Sequence, residues 1–256
     1  MSERIIGVVP AAGKGTRLAP FPCPKELFPV GYQDYPLAGR VEKRPKVISQ
    51  YLIENIVLAG VKKMLVVLGP GKHDIMSYYG DGSRHGCEIA YLFQERLNGM
   101  PGALDLAHAW AGDATILFGM PDTMIEPKDA FKRMLTDHHG SGADVTLGVF
   151  STDNPQKFGM VEFNDSGEVL STIDKPKSTH LTYMWGCACW SAGFSHLMHG
   201  YLMRNAHCKK EIVLGDVFNE ALKLKLKVRA YPFPEGLYMD IGTAAELDSA
   251  LKKFHL

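Results

Sequence analysis

Short apolar runs separated by turn residues dominate the first half of this chain. Ile5–Val9 is apolar throughout and ends in Pro10 and the glycine-rich stretch that follows, a pattern that predicts a buried strand. Between Lys46 and Ala59, the residues Ile48, Leu52, Ile56 and Ala59 fall on one helical face, and Gly60 stops the helix. Met64–Leu68 reads as a second buried strand, closed by Gly69-Pro70-Gly71. Ile89–Phe93 and Thr115–Phe118 repeat the pattern, with a helical stretch over Pro101–Trp110 between them. A helix over Lys128–His138 leads into a strand at Val145–Phe150. Strand–helix–strand alternation of this kind points to a parallel sheet wrapped by helices.

The second half changes character. Gly159–Phe163 and Glu168–Ile173 flank the polar turn Asn164–Gly167 and predict a β-hairpin. The Met-, Trp- and Cys-rich segment Tyr183–Trp190 reads as a core strand. Helices near Ser195–Arg204 and Asp216–Lys223 and a strand near Val228–Tyr231 follow. Gly31–Arg44, rich in glycine and charge, reads as a connection longer than most loops in compact domains.

Composition narrows the chemistry. The 256 residues carry 28 basic and 28 acidic side chains, so no basic surplus points to nucleic acid. An anion site must then come from locally placed charges and backbone N–H groups. The five cysteines form no CxxC pair and no zinc spacing, which suits a reduced compartment. No apolar run approaches the roughly 18 residues of a membrane span. A cytoplasmic protein with no membrane partner is the expectation.

The turn after the first strand, Pro10-Ala11-Ala12-Gly13-Lys14-Gly15-Thr16-Arg17-Leu18, lets the backbone approach a ligand closely and can aim N–H groups at phosphate oxygens. It fits neither a dinucleotide fingerprint, since Leu18 stands at the third glycine, nor a Walker A loop, since Gly15 follows Lys14. On these residues alone, an ordinary turn and a phosphate loop both stay open.

The wider order of motifs goes further. Ala11-Ala12-Gly13-Lys14-Gly15-Thr16-Arg17-Leu18 followed by Pro24-Lys25-Glu26-Leu27-Phe28-Pro29-Val30 resembles the signature of the sugar-1-phosphate nucleotidylyltransferases. In register after it come Tyr79-Gly80-Asp81-Gly82-Ser83, then Gln94 with Gly99–Leu104, then Pro121-Asp122. Phe158–Phe163, Asp174-Lys175-Pro176, Glu211-Ile212 with Asp216, and Tyr238–Thr243 complete the set. Features of two branches are mixed, with Pro121-Asp122 nearer the uridylyl branch and Tyr79–Ser83 nearer the thymidylyl branch.

That resemblance implies an α/β, Rossmann-like three-layer fold, glycosyltransferase-A-like, with a central mostly parallel mixed sheet and a small β-rich sugar-binding lobe. One nucleotidyltransferase domain would span residues 1–256, with a nucleotide half at about 1–122 and a sugar-phosphate half at about 123–256. The implied reaction makes a nucleotide sugar and pyrophosphate from a nucleoside triphosphate (dTTP or UTP) and a sugar 1-phosphate (glucose 1-phosphate), in the service of polysaccharide biosynthesis. The resemblance gives Ala11, Ala12, Gly13, Gly15, Thr16, Gln94 and Gly99 to the nucleotide. It gives Gly159, Glu162, Asp174 and Lys175 to the sugar phosphate. Arg17, Lys25, Asp122 and Lys175 would be catalytic, and Asp122 and Asp240 would hold Mg²⁺ from opposite lobes. Lys25 stands after a segment about two residues shorter than the family pattern. A catalytically silent relative and a nucleotidyltransferase for a non-sugar phosphate are the competing readings. A homo-oligomer is left open.

Overall fold

The computed structural model describes residues 4–208 and 210–253. In chain order its strands and helices are β1 (Ile5–Ala11), β2 (Pro29–Leu37), β3 (Arg40–Val47), α1 (Ile48–Leu58), β4 (Lys63–Leu68), α2 (His73–Tyr79), β5 (Glu88–Phe93), α3 (Met100–Asp105), α4 (His108–Ala111) and β6 (Thr115–Gly119). There follow β7 (Thr123–Glu126), α5 (Ala130–Ser141), β8 (Val145–Ser151), β9 (Gly159–Phe163), β10 (Val169–Asp174), β11 (Tyr183–Trp190), α6 (Ala192–Arg204), α7 (Leu214–Lys223), β12 (Val228–Phe233), β13 (Leu237–Asp240) and α8 (Ala244–Lys253).

Nine strands make one mixed sheet. Its path runs β10-β9-β11-β6-β1-β4-β5, and β8 and β12 extend it beside β11. β6, β1, β4 and β5 are mutually parallel, as the strand–helix alternation of the first half requires. β11 is antiparallel to β6, β8 and β9, and it joins the two halves of the sheet.

Alternate side chains of the central strands enter different cores, because successive residues of a strand point to opposite faces. Ile116 and Phe118 of β6 pack into one core with Phe194 and Met198 of α6 and Val217 and Phe218 of α7. Leu117, between them, packs into the other with Leu52, Ile53 and Ile56 of α1 and Phe131 and Met134 of α5. Cys187 and Cys189 likewise face one core while Ala188 and Trp190 face the other. Helices on both faces of the sheet give the three-layer α/β architecture. Covered on both sides, such strands read as continuous apolar runs rather than alternating ones.

The region expected as a long Gly31–Arg44 loop is instead the antiparallel hairpin β2–β3, paired from Pro29↔Val47 to Leu37↔Arg40. Its turn, Ala38-Gly39, has both residues at positive φ (48° and 77°), the conformation a tight two-residue hairpin requires. Most of its side chains meet solvent on both faces, so no apolar alternation marks it. Because β3 continues to Val47, the helix expected from Lys46 begins at Ile48. The stretch over Pro101–Trp110 divides into α3 and α4 at Leu106-Ala107.

Candidate active site

One cavity of about 440 Å³ opens where the loops after β1 and β6 meet β9, the end of β10, and β13. The chain leaves β1 through Ala12–Gly15 and enters a single 3₁₀ turn at Thr16–Leu18. Gly15 has φ +66°, and a Cβ on it would lie 3.8 Å from the Lys25 stem, so the glycine loop lies against that lysine. A second 3₁₀ turn at Lys25–Leu27 carries Lys25, whose Nζ forms an ion pair with Asp122 inside the cavity. The short segment before Lys25 therefore still delivers its ammonium to the site.

The turn bearing Lys25 is braced from beneath by buried polar groups. Lys72 Nζ lies 2.7 Å from Glu26 Oε2, and both side chains are almost completely enclosed. Ser49 Oγ donates to the Glu26 carbonyl at 2.6 Å and meets the Tyr79 hydroxyl at 2.6 Å. Burial raises the Glu26 carboxyl above its ordinary range, and the Lys72 ammonium opposes the shift.

Asp122, just before β7, and Asp240, the last residue of β13, are brought together by the small two-stranded sheet that β7 and β13 form. β7 pairs with β13 so that Asp240 stands opposite Thr123, and the Ile241 N–H donates to the Asp122 carbonyl at 3.1 Å. Burial, and then the neighbouring Asp122, push the Asp240 carboxyl up to about 7, with Lys25 pulling the other way. Asp240 Oδ1 is buried without a hydrogen-bond partner. Burial works against the Lys25 charge, yet its contact with Asp122 leaves its pKa raised.

Around this centre the cavity is lined by Ala12, Gly13, Arg17, Gln94 and Gly99 from the first half of the chain and by Gly159, Asp174 and Lys175 from the second. Gln94 Nε2 donates to Asn98 Oδ1 at 2.7 Å, and Gly99, at φ +92°, caps α3. A Cβ on Gly242 would lie 2.8 Å from Arg17 Nη2, so a glycine there admits the guanidinium. A Cβ on Gly159 would lie 2.2 Å from the Trp185 Nε1, which fixes glycine at that position. Lys175 follows β10 with φ +44°, and its N–H donates to the Phe158 carbonyl at 2.9 Å.

Four expected ligand contacts lie elsewhere. Ala11 is packed in the core and Thr16 lies outside the cavity lining. Gly15 lines a neighbouring cleft with Lys14, Cys23 and Lys72. Glu162 also lies outside the cavity lining, and its carboxylate accepts from Ser171 Oγ at 2.8 Å.

Other lining residues have no ligand role expected from sequence: Glu26, Lys157, Trp185, Glu211 and Tyr238 among them. Trp185, in a strand expected in the core, packs against Phe118 and also forms cavity wall. Glu211 and Tyr238 sit inside the quoted motifs, which could have flagged them. Lys157 had no such signal.

A glycine-rich turn at the end of the first strand, four cations and five carboxylates line one cavity of an α/β domain. The chain belongs to the nucleotidyl transferase family, whose profile matches residues 6–255. It is 30% identical to the UTP–glucose-1-phosphate uridylyltransferase AglF of Haloferax volcanii over 95% of this chain and 93% of that protein. It is 27% identical to a glucose-1-phosphate thymidylyltransferase of Neisseria meningitidis over 67% of this chain and 56% of that one. The chain spans about half the length of several curated relatives it matches, the Neisseria protein among them. A putative glucose-1-phosphate thymidylyltransferase from Bacillus anthracis superposes with a TM-score of 0.82 at 19% identity, over 97% of this chain and 94% of that one. Among the described residues, no helix is long and apolar enough to cross a membrane.

Proposed function

We propose that this protein joins a nucleoside triphosphate to a sugar 1-phosphate, with UTP or dTTP and glucose 1-phosphate as substrates. An oxygen of the sugar phosphate attacks the α-phosphorus, the bond from that phosphorus to the bridging oxygen of the β-phosphate breaks, and pyrophosphate leaves. The nucleophile is already an anion, so the site must position two anions and neutralise charge rather than supply a general base.

The observation that carries the reading is that Lys25, Asp122 and Asp240 line one cavity together with Gly13 and Arg17 of the glycine loop and with Lys175. In this scheme Arg17 holds the outer phosphates, Lys25 meets the charge that builds at the α-phosphate, and Lys175 grips the sugar phosphate. Gln94 and Gly99 read the base, and Asp174 accepts from sugar hydroxyls. The near-full-length likeness to AglF favours UTP over dTTP.

A divalent cation such as Mg²⁺ fits the pair of carboxylates. Asp240 Oδ1 is buried and unpartnered, and hard oxygen donors suit that ion. Among the described residues no group of three or more His, Cys, Asp or Glu side chains could hold a metal ion, so phosphate and water oxygens would complete the shell. When bound, the cation neutralises phosphate charge.

The test is pyrophosphate release from the purified chain over a matrix of nucleoside triphosphates and sugar 1-phosphates with Mg²⁺. The expected result is turnover with UTP or dTTP and glucose 1-phosphate. Absence of turnover with every pair would overturn the reading.

A further inference from the structure

A cation stands in the cavity wall with no role in the scheme above. Lys157 closes a 3₁₀ turn (Pro155–Lys157) just before β9 and lines the cavity. Its Nζ lies 2.8 Å from Glu246 Oε1. Glu246 is on the first turn of α8, six residues beyond Asp240, and its backbone N–H donates to Thr243 Oγ1 at 3.3 Å.

This pair is not built like an ordinary surface ion pair. An exposed pair swings freely and contributes little. Here the carboxylate is sunk, and Glu246 Oε2 is buried with no hydrogen-bond partner. Leaving a carboxylate oxygen unsatisfied carries a desolvation cost that a solvated pair avoids. The hydrogen bonds from Lys157 and Thr243 overcome burial and hold the Glu246 carboxyl below its ordinary range, and the Arg17 charge adds to the effect. Glu246 thus lies within electrostatic reach of both Arg17 and Lys157. Arg17 in turn packs over Gly242, at the start of the segment leading into α8.

Charge in the cavity points the same way. Its lining cations are Arg17, Lys25, Lys157 and Lys175, set against Glu26, Asp122, Asp174, Glu211 and Asp240. In the proposed scheme Lys25 already meets the α-phosphate and Lys175 the sugar phosphate. Without Lys157, Arg17 would be the one lining cation left for the outer phosphates.

We propose that Lys157 is a further substrate-binding residue that grips the outer phosphates of the triphosphate beside Arg17, and that Glu246 is the positioning residue that holds it there. The inference rests on the proposed function and adds α8 to the active site. The outer phosphates are chosen over the sugar phosphate because Arg17 packs over Gly242, on the segment that leads into α8 and Glu246.

The test uses the full chain with inorganic pyrophosphate as a calorimetric probe, alongside steady-state kinetics for both substrates. Lys157→Gln should raise the pyrophosphate dissociation constant and the KM for triphosphate about tenfold, the scale of one hydrogen bond to a charged group. The KM for the sugar 1-phosphate should stay within about twofold, since that partner is held elsewhere. Lys157→Arg should recover most of the loss. Glu246→Gln keeps the Lys157 charge but loosens its anchor, so it should give a smaller rise in the same constant. Gln at position 157 can still donate to Glu246, and a thermal melt of each variant accompanies the constants. A Lys157→Gln enzyme with unchanged pyrophosphate and triphosphate constants would overturn the proposal while leaving the proposed function standing. A change confined to the sugar-phosphate KM would equally overturn it. A wild-type chain that turns over no substrate pair would remove the proposed function and this inference with it.

Discussion

In the proposed scheme Asp240 serves the site at the expense of the fold. Its carboxyl, driven to about 7 by burial and by Asp122, prefers to be neutral in the folded protein well above the pH at which an unfolded aspartate ionises. A raised carboxylate pKa means that the folded state binds more protons than the unfolded state between about pH 4 and pH 7. Stability therefore falls as pH rises through that window, and the loss is complete above about 7. Asp240→Asn removes the ionising group. In the metal-free protein it should raise Tm at pH 8, by about 2–4 °C for each kcal/mol of relieved repulsion, and raise it by only about a third as much at pH 5, where a third of the window has been crossed. The same variant should lower turnover by orders of magnitude, because charge neutralisation carries most of the rate in phosphate transfer. Melting curves at the two pH values, with and without Mg²⁺, check this. Equal Tm changes at both would refute the ionisation account. Lys175 adds backbone strain at the same cavity, since φ +44° is a region that side-chain-bearing residues seldom enter.

At the scale of elements, the sequence told most where burial left a mark. β1, β4 and β6 are apolar on both faces and stood out as runs, and α1 announced itself by periodicity. The hairpin β2–β3 did not, because exposed strands have no reason to alternate. Nor did α2, a single short helix with two buried residues, or the four-residue strands β7 and β13. That last omission hid the most consequential geometry, since the β7–β13 pairing is what brings Asp122 and Asp240 together. Motif order could name both aspartates but not their shared sheet. It also could not find the brace under Lys25, because Lys72 and Glu26 are 46 residues apart and meet through tertiary packing. The brace makes its own prediction. Lys72→Met should cost about 3–5 kcal/mol by stranding a buried carboxylate, and the double change with Glu26→Gln should recover part of it. Urea denaturation of the two variants measures the difference. A single variant within about 0.5 kcal/mol of wild type would show that the pair bears no weight.

Across the whole molecule, the cavity lies where the parallel part of the sheet gives way to the antiparallel part. Arg17, Gln94 and Gly99 reach it from the loops after β1 and β5. Gly159 and Lys175 reach it from the β9–β10 hairpin, which packs at the other end of the sheet path. Lys157 apart, each substrate in the proposed scheme is thus gripped from one part of the sheet, and the two grips should be separable by mutation. A ligand that binds the folded state alone stabilises it by about 2.7 kcal/mol at a hundred times its dissociation constant, which is readable as a rise in Tm. Lys175→Ala should therefore keep the thermal shift given by UTP with Mg²⁺ and lose most of the shift given by glucose 1-phosphate. In kinetics it should raise the KM for the sugar 1-phosphate, and lower kcat as the nucleophile loses its alignment. Arg17→Ala should show the converse, losing the triphosphate shift while keeping that of the sugar phosphate. If Lys175→Ala lost the UTP shift alone, the two ends of the cavity would have to be exchanged in the scheme. If both variants lost both shifts equally, the division of labour between the parallel and antiparallel parts of the sheet would be wrong, and the cavity would have to be read as one undivided anion site.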